Sequence, residues 1–203
     1  YGYDKLIPEI PEISTIGEID KKEIIKTKIS EILIGLEFLE TSSYHFVTKE
    51  SVKKTNIPLR EYTEVKSAKT DYTLLRNDLS LPLFKILSEN IDVEYPHELF
   101  QIGRVFNGVK EKDNLALIIT PGNFTRLKQV IDYLSSMLNV KFNIENSNAN
   151  AYLIEGRSGK IVFEGKQIGF IGEVHPRILK NFKLKMPAVL CEIGLEEVFN
   201  KII

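Results

Sequence analysis

The sequence predicts an α+β fold, an antiparallel β-sheet flanked by helices, and three observations carry that prediction. Short β-leaning stretches separated by turn residues crowd the last third of the chain. Two longer ones, Leu99 to Phe106 and Asn114 to Ile119, precede them and read as neighbouring strands joined through the polar segment Asn107 to Asp113. The helical periodicities stand apart from these strands, whereas a doubly wound parallel sheet needs a helix after every strand.

Residues 1–19 hold Pro8 and Pro11 among Ile and Glu, so helix is blocked and an extended linker from a preceding module is expected, followed by one domain over residues 20–203. The run Tyr1-Gly-Tyr-Asp-Lys has neither an initiating Met nor a signal pattern, and a piece of a longer chain is expected. From Asp20, an N-cap with Glu23 as capping-box partner, a 3.6-residue periodicity runs to about Leu39. Its main stripe is Ile25, Ile29, Ile32, Leu33, Leu36 and Leu39, while Ile24, Ile34 and Phe38 fall on the other side. A helix with two apolar faces is covered either by another chain or by its own domain.

A β-leaning segment near Ser43 to Val47, a short helix near Glu50 to Thr55 and an extended piece through Tyr62 to Val65 follow. Leu79 to Asn90 reads as a helix behind Asp78, with Pro82 tolerated in its first turn. After the strand pair, Leu127, Val130, Ile131, Leu134, Met137 and Leu138 make one amphipathic stripe. Strands at Lys141 to Glu145, Ala151 to Glu155, Lys160 to Phe163, Gln167 to Glu173 and Ala188 to Ile193 complete the sheet. A hairpin turn is expected at Gly165-Lys166, and a short helix from Pro176 to Phe182. No internal repeat is expected.

At 203 residues, 43% hydrophobic and 27% charged, the composition is that of a soluble globular domain. Its 27 basic against 28 acidic residues exclude a protein held to nucleic acid mainly by phosphate neutralisation. Apolar runs such as Leu115 to Ile119 fall far short of the roughly 20 residues that cross a bilayer. The lone Cys191 forms no internal disulfide, fits a reducing, cytoplasmic compartment and reads as a buried small hydrophobe.

Catalytic signals are sparse. His45, His97, His175 and Cys191 have no metal-ligand spacing, and neither GxGxxG nor GxxxxGK[ST] is present. In Glu173-Val174-His175 two polar groups share a strand face, as a proton-transfer pair would, but hydrogen bonding around the turn into Pro176 is the preferred reading. Arg76 is expected to pair with Asp71 or Asp78 rather than grip a phosphate. Arg104 is expected to be exposed, and Arg157 to lie in a tight turn beside Gly156 and Gly159. A hydrolase or lyase built on Glu173, His175 and Arg157 is the enzymatic alternative.

Six segments, in order, resemble one family. They are Tyr1-Gly-Tyr-Asp-Lys-Leu-Ile-Pro8, Leu75-Arg-Asn-Asp-Leu79, Glu98-Leu-Phe-Gln-Ile-Gly-Arg-Val-Phe106, Ile154-Glu-Gly-Arg-Ser158, Ile168-Gly-Phe-Ile-Gly-Glu-Val-His-Pro176 and Cys191-Glu-Ile-Gly-Leu-Glu196. Together they are similar to the C-terminal catalytic-like domain of the phenylalanyl-tRNA synthetase β subunit of archaeal/eukaryotic type. Asp78 and Gly159 depart from the family's usual small residue and Ala. The resemblance implies a catalytically inactive version of the class II aminoacyl-tRNA synthetase fold. Gln101-Ile-Gly-Arg104 lacks the "FRxE" sequence that grips ATP in active members, and Gly194-Leu-Glu-Glu197 lacks their GxGxGxxR.

The implied role is a structural, interface domain of phenylalanine–tRNA ligase that supports assembly with the catalytic α subunit for tRNA(Phe) aminoacylation, in an (αβ)₂ heterotetramer. No catalytic, cofactor-binding or metal-binding residue is implied for this chain; ATP and Mg²⁺ would be bound elsewhere in the holoenzyme, and tRNA contact here would be minor. The interface would fall on helix one, at Ile24, Ile25, Ile29, Ile32, Leu33, Ile34, Leu36 and Phe38. The alternative is a stand-alone class II-like module that binds an amino acid or small ligand without adenylation. An exposed second stripe also predicts that the isolated domain homodimerises.

Overall fold

Asp20 begins the first long element as its side chain accepts a hydrogen bond from the Lys22 N–H at 2.8 Å, and helix α1 runs from Lys21–Gly35 in a computed structural model that describes residues 2–12, 16–66, 69–147 and 150–203. Tyr1 and residues 13–15 of the expected linker lie outside the described residues. Helix α1 stops four residues before the periodicity does. Glu37 turns left-handed at φ 68°, the Phe38 N–H donates to the Leu33 carbonyl and the Glu37 N–H to that of Ile34, which is a Schellman termination. That turn swings Phe38 into contact with the core at 3% exposure and throws Leu39 out to 65%, the reverse of what a helical extrapolation gives.

The chain continues through β1 (Leu39–Glu40), β2 (Phe46–Thr48), α2 (Lys49–Thr55), β3 (Thr63–Glu64), β4 (Tyr72–Leu75) and α3 (Ser80–Glu89). Then come β5 (His97–Asn107), β6 (Lys110–Thr120), α4 (Phe124–Met137), β7 (Asn143–Asn146), β8 (Leu153–Phe163) and β9 (Lys166–Val174). Helix α5 (Pro176–Asn181), β10 (Val189–Gly194) and α6 (Glu196–Ile202) close it. Seven strands make one sheet in the order β1-β5-β6-β10-β9-β8-β7, antiparallel except where β1 lies parallel to β5. Strands β2, β4 and β3 form a small second sheet.

The large sheet is buried on both faces, and the two-residue alternation of its central strands sorts side chains between them. Leu115, Leu117 and Ile119 of β6 and Cys191 and Ile193 of β10 pack on one side with Ile29 and Leu33 of α1, Leu134 of α4 and Phe199 of α6. Ala116, Ile118 and Leu190 point the other way, toward Phe84 of α3, Val52 of α2 and Ile178 of α5. Most expected elements are present, but two connections differ. Strands β5 and β6 stay paired through the polar stretch expected as a loop, out to Asn107↔Lys110, so Gly108 and Val109 alone make the turn. The expected break at Arg157 is instead a bulge in one continuous β8, where Gly156 sits at φ +76° and the pairing shifts between Leu153 and Ser158.

Candidate functional site

Two places on this frame have functional character: the outer face of α1, and a cleft over the middle of the large sheet. On α1, the buried stripe is Ile25, Ile29, Ile32 and Leu33, joined by Phe38, all held in the chain's own core. Those five are therefore not available to another chain, which corrects the wider interface expected from the sequence. Ile24 and Ile34 remain, 56% and 54% exposed, with Leu36 half-buried between the core and solvent.

The cleft, about 300 Å³, is lined by Asn77 and Asp78 before α3, Val105 and Phe106 of β5, Asn114 of β6, Phe170 of β9 and Glu192 of β10. Glu192 faces it because the alternation along β10 sends Leu190 and Glu192 to this side. Its carboxylate binds the start of α3, accepting from the Leu79 and Ser80 N–H groups at 3.0 and 3.1 Å, from the Ser80 hydroxyl at 2.5 Å and from Asn114 Nδ2 at 2.7 Å. A carboxylate at the first turn of a helix meets its unpaired N–H groups and the positive end of its dipole. Asp78 stands beside it, accepting from the Leu81 N–H at 2.9 Å and from the Tyr152 hydroxyl at 2.6 Å. Burial, then the charge of Asp78, pushes Glu192 up to about 7. Burial likewise raises Asp78 and drives the Tyr152 phenol well above its ordinary range. Asn77 Oδ1 is buried at the cleft with no hydrogen-bond partner.

Beneath the cleft, Arg76 is 2% exposed and makes none of the expected ion pairs with Asp71 or Asp78. Its Nε donates to the Arg104 carbonyl at 2.7 Å, and its Nη1 to the Ser43 carbonyl and hydroxyl at 3.1 and 2.9 Å. Gly103 leaves room for this, since a Cβ there would lie 2.6 Å from Arg76 Nη2. A guanidinium committed to carbonyls of two segments clamps backbone and leaves nothing for a phosphate. Arg104 is exposed, as expected, and pairs with Glu111 at 3.0 Å. Lys112 is the one cation among the described residues that line the cleft. Two buried acids and a single rim lysine do not fit a nucleoside triphosphate, whose bound form needs cations at the phosphates.

Glu173 and His175 do not converge. The Glu173 carboxylate pairs with Arg157 at 2.8 Å, and His175 Nδ1 accepts from the Arg177 N–H at 3.0 Å as the N-cap of α5. Both roles are structural, and the enzymatic alternative built on them has no joint site. Sequence reading missed Glu192 and Asp78 as a pair because 114 residues separate them; the one clue was an acid at the centre of the apolar run Val189 to Ile193. Among the described residues no group of three His, Cys, Asp or Glu side chains is placed to hold a metal ion. No helix there is long and apolar enough to cross a membrane.

Solved structures with this arrangement of sheet and helices define the class. A pyrrolysyl-tRNA synthetase from Desulfitobacterium hafniense superimposes with a TM-score of 0.75 at 15% identity, over 88% of this chain and 67% of that one. A second structure of that enzyme gives 0.73, and the fold is class II synthetase-like. The family model for the phenylalanyl tRNA synthetase beta chain CLM domain matches residues 7–195, and the chain belongs to that family. Phenylalanine–tRNA ligase β subunits from Archaeoglobus fulgidus and Pyrococcus furiosus are each 32% identical, over 98% of this chain. That of Methanocaldococcus jannaschii is 31% identical over 97%. This chain spans 38% of the length of each of these relatives.

Proposed function

We propose that this chain is a non-catalytic assembly module of a cytoplasmic phenylalanine–tRNA ligase, a β-subunit domain that keeps the synthetase scaffold and supplies surface to the catalytic α subunit in an (αβ)₂ heterotetramer. The observation that carries the reading is the cleft itself. Where adenylate formation needs cations around the α-phosphate, this cleft offers Asp78 and Glu192 engaged in capping α3, and the nearby Arg76 is spent on backbone carbonyls. The apolar pair Ile24 and Ile34 on the outer face of α1 supports an interface there. ATP, Mg²⁺ and most tRNA contact then belong to other parts of the enzyme.

The test is affinity capture of the α subunit by the tagged chain. Capture by the parent and its loss with Ile34→Asp are expected; equal recovery with both would remove α1 from the interface. The pure chain is also expected to show no phenylalanine-dependent ATP–pyrophosphate exchange, and measurable turnover would overturn the non-catalytic reading.

A second reading, an amino-acid or small-ligand module without adenylation, is favoured by the unpartnered Asn77 Oδ1 in the cleft. A rise of several degrees in Tm with millimolar phenylalanine would put it first, because a ligand that binds only the folded state raises its stability.

A further inference from the structure

Residues 7–19 carry a triplet repeat, contrary to the absence of repeats expected above: Ile7-Pro-Glu, Ile10-Pro-Glu, Ile13-Ser-Thr, Ile16-Gly-Glu, then Ile19. Ile recurs every third residue, and Glu9, Glu12 and Glu18 share one other position of the triplet. Three residues per turn is the period of the polyproline II helix, so in that conformation the isoleucines line one edge and the glutamates another. A strand, with period two, or an α-helix, with period 3.6, would scatter them.

The structure agrees with the first. Neither helix nor strand occurs over residues 6–12 or 16–20, and both ends are in the polyproline region, Leu6 at φ −83°, ψ 120° and Asp20 at φ −58°, ψ 133°. Pro8 and Pro11 hold φ near the same value. The stripe is unburied, with Ile7 88%, Ile10 95%, Ile16 96% and Ile19 74% exposed. Ile13 keeps the sequence period but lies outside the described residues. The family match begins at Ile7, so the segment is shared with the domain family.

We infer that residues 7–19 form a preorganised polyproline-type strap whose isoleucine edge seats in an apolar groove bordered by Lys or Arg on the partner subunit; this rests on the assembly reading above. Charge selects the occupant: the segment has three Glu and neither Lys nor Arg. At about 3.1 Å per residue the strap reaches about 37 Å from Ile7 to Ile19, with an anchor about every 9 Å. An extended segment that is already stiff loses little freedom on docking, which is how proline-rich ligands bind apolar grooves.

The test uses the native assembly, purified with its own subunits, and reads the concentration at which the subunits separate on dilution. Ile10→Ser with Ile16→Ser, and separately Glu9→Lys with Glu12→Lys and Glu18→Lys, are each expected to raise that concentration at least tenfold. The Tm of the isolated chain is expected to stay within about 1 °C, since these side chains touch nothing in it. Parent-like dissociation in the isoleucine variant overturns the strap, and no weakening after charge reversal overturns the basic groove. A drop in the isolated chain's Tm would place the strap on its own domain, and altered self-association of that chain would make a second copy the occupant; either result refutes the proposal. If Ile34→Asp separates the subunits while both strap variants stay assembled, the strap fails alone and the assembly reading stands.

Discussion

Glu192 is the residue on which the largest change of pH response is expected. Its carboxyl is raised from the ordinary value to about 7 in the folded chain, first by burial and then by Asp78. A raised acid is held protonated by the fold, so its contribution is complete below the unfolded value near 4.5 and is lost as pH climbs through about 7. Urea melts of the parent and Glu192→Gln should therefore show the variant gaining, relative to the parent, between pH 5 and pH 8, by up to about 3 kcal/mol. A constant difference would mean that Glu192 titrates normally. Arg76 offers a second test. Removing a buried guanidinium orphans the carbonyls of Ser43 and Arg104, so Arg76→Ala should cost about 3 kcal/mol. The corresponding fall in Tm is roughly 6–12 °C. Arg76→Lys should recover only part of it, because a single ammonium does not span both segments. Neither role was legible in the sequence, where Arg76 stood beside tempting acids; a clamp across 28 to 33 residues leaves no local pattern.

The elements were more legible, to different depths. Helix α1, α3, α4 and the strand pair β5 and β6 are written in short-range periodicity and caps, which is why their cores match expectation. What the period could not give was where α1 stops, since the left-handed Glu37 carries no glycine to mark it and the Schellman turn moves Phe38 inward. The two-residue strand β1 and the short α6 have too few residues to show a period, and their positions come from tertiary pairing. The outer face of α1 makes a testable contrast. Ile34→Asp, at a side chain 54% exposed, should shift the isolated chain's stability by no more than about 0.5 kcal/mol. Ile29→Ala, on the same helix at 0% exposure, should cost about 2–5 kcal/mol. Thermal melts of the two distinguish an interface residue from a core one, and similar losses would mean that Ile34 packs within the chain.

The whole molecule is a scaffold with a sheet buried on both faces, a cleft whose charge suits capping rather than phosphate binding, and apolar side chains turned outward along α1 and the amino-terminal segment. Without its partner, that exposed apolar surface should drive self-association. Light scattering of the isolated chain is expected to show an apparent mass that rises with concentration, and a strict monomer throughout would count against it. The central claim is that the molecule contributes surface and no chemistry. Its most direct test is the phenylalanine-dependent ATP–pyrophosphate exchange rate of the native assembly carrying Arg104→Ala and Lys112→Ala, the exposed cations at and beside the cleft. The account predicts a rate within about twofold of the parent with the subunits still assembled, whereas a loss of a hundredfold or more in an intact assembly would place this cleft in the reaction and contradict it.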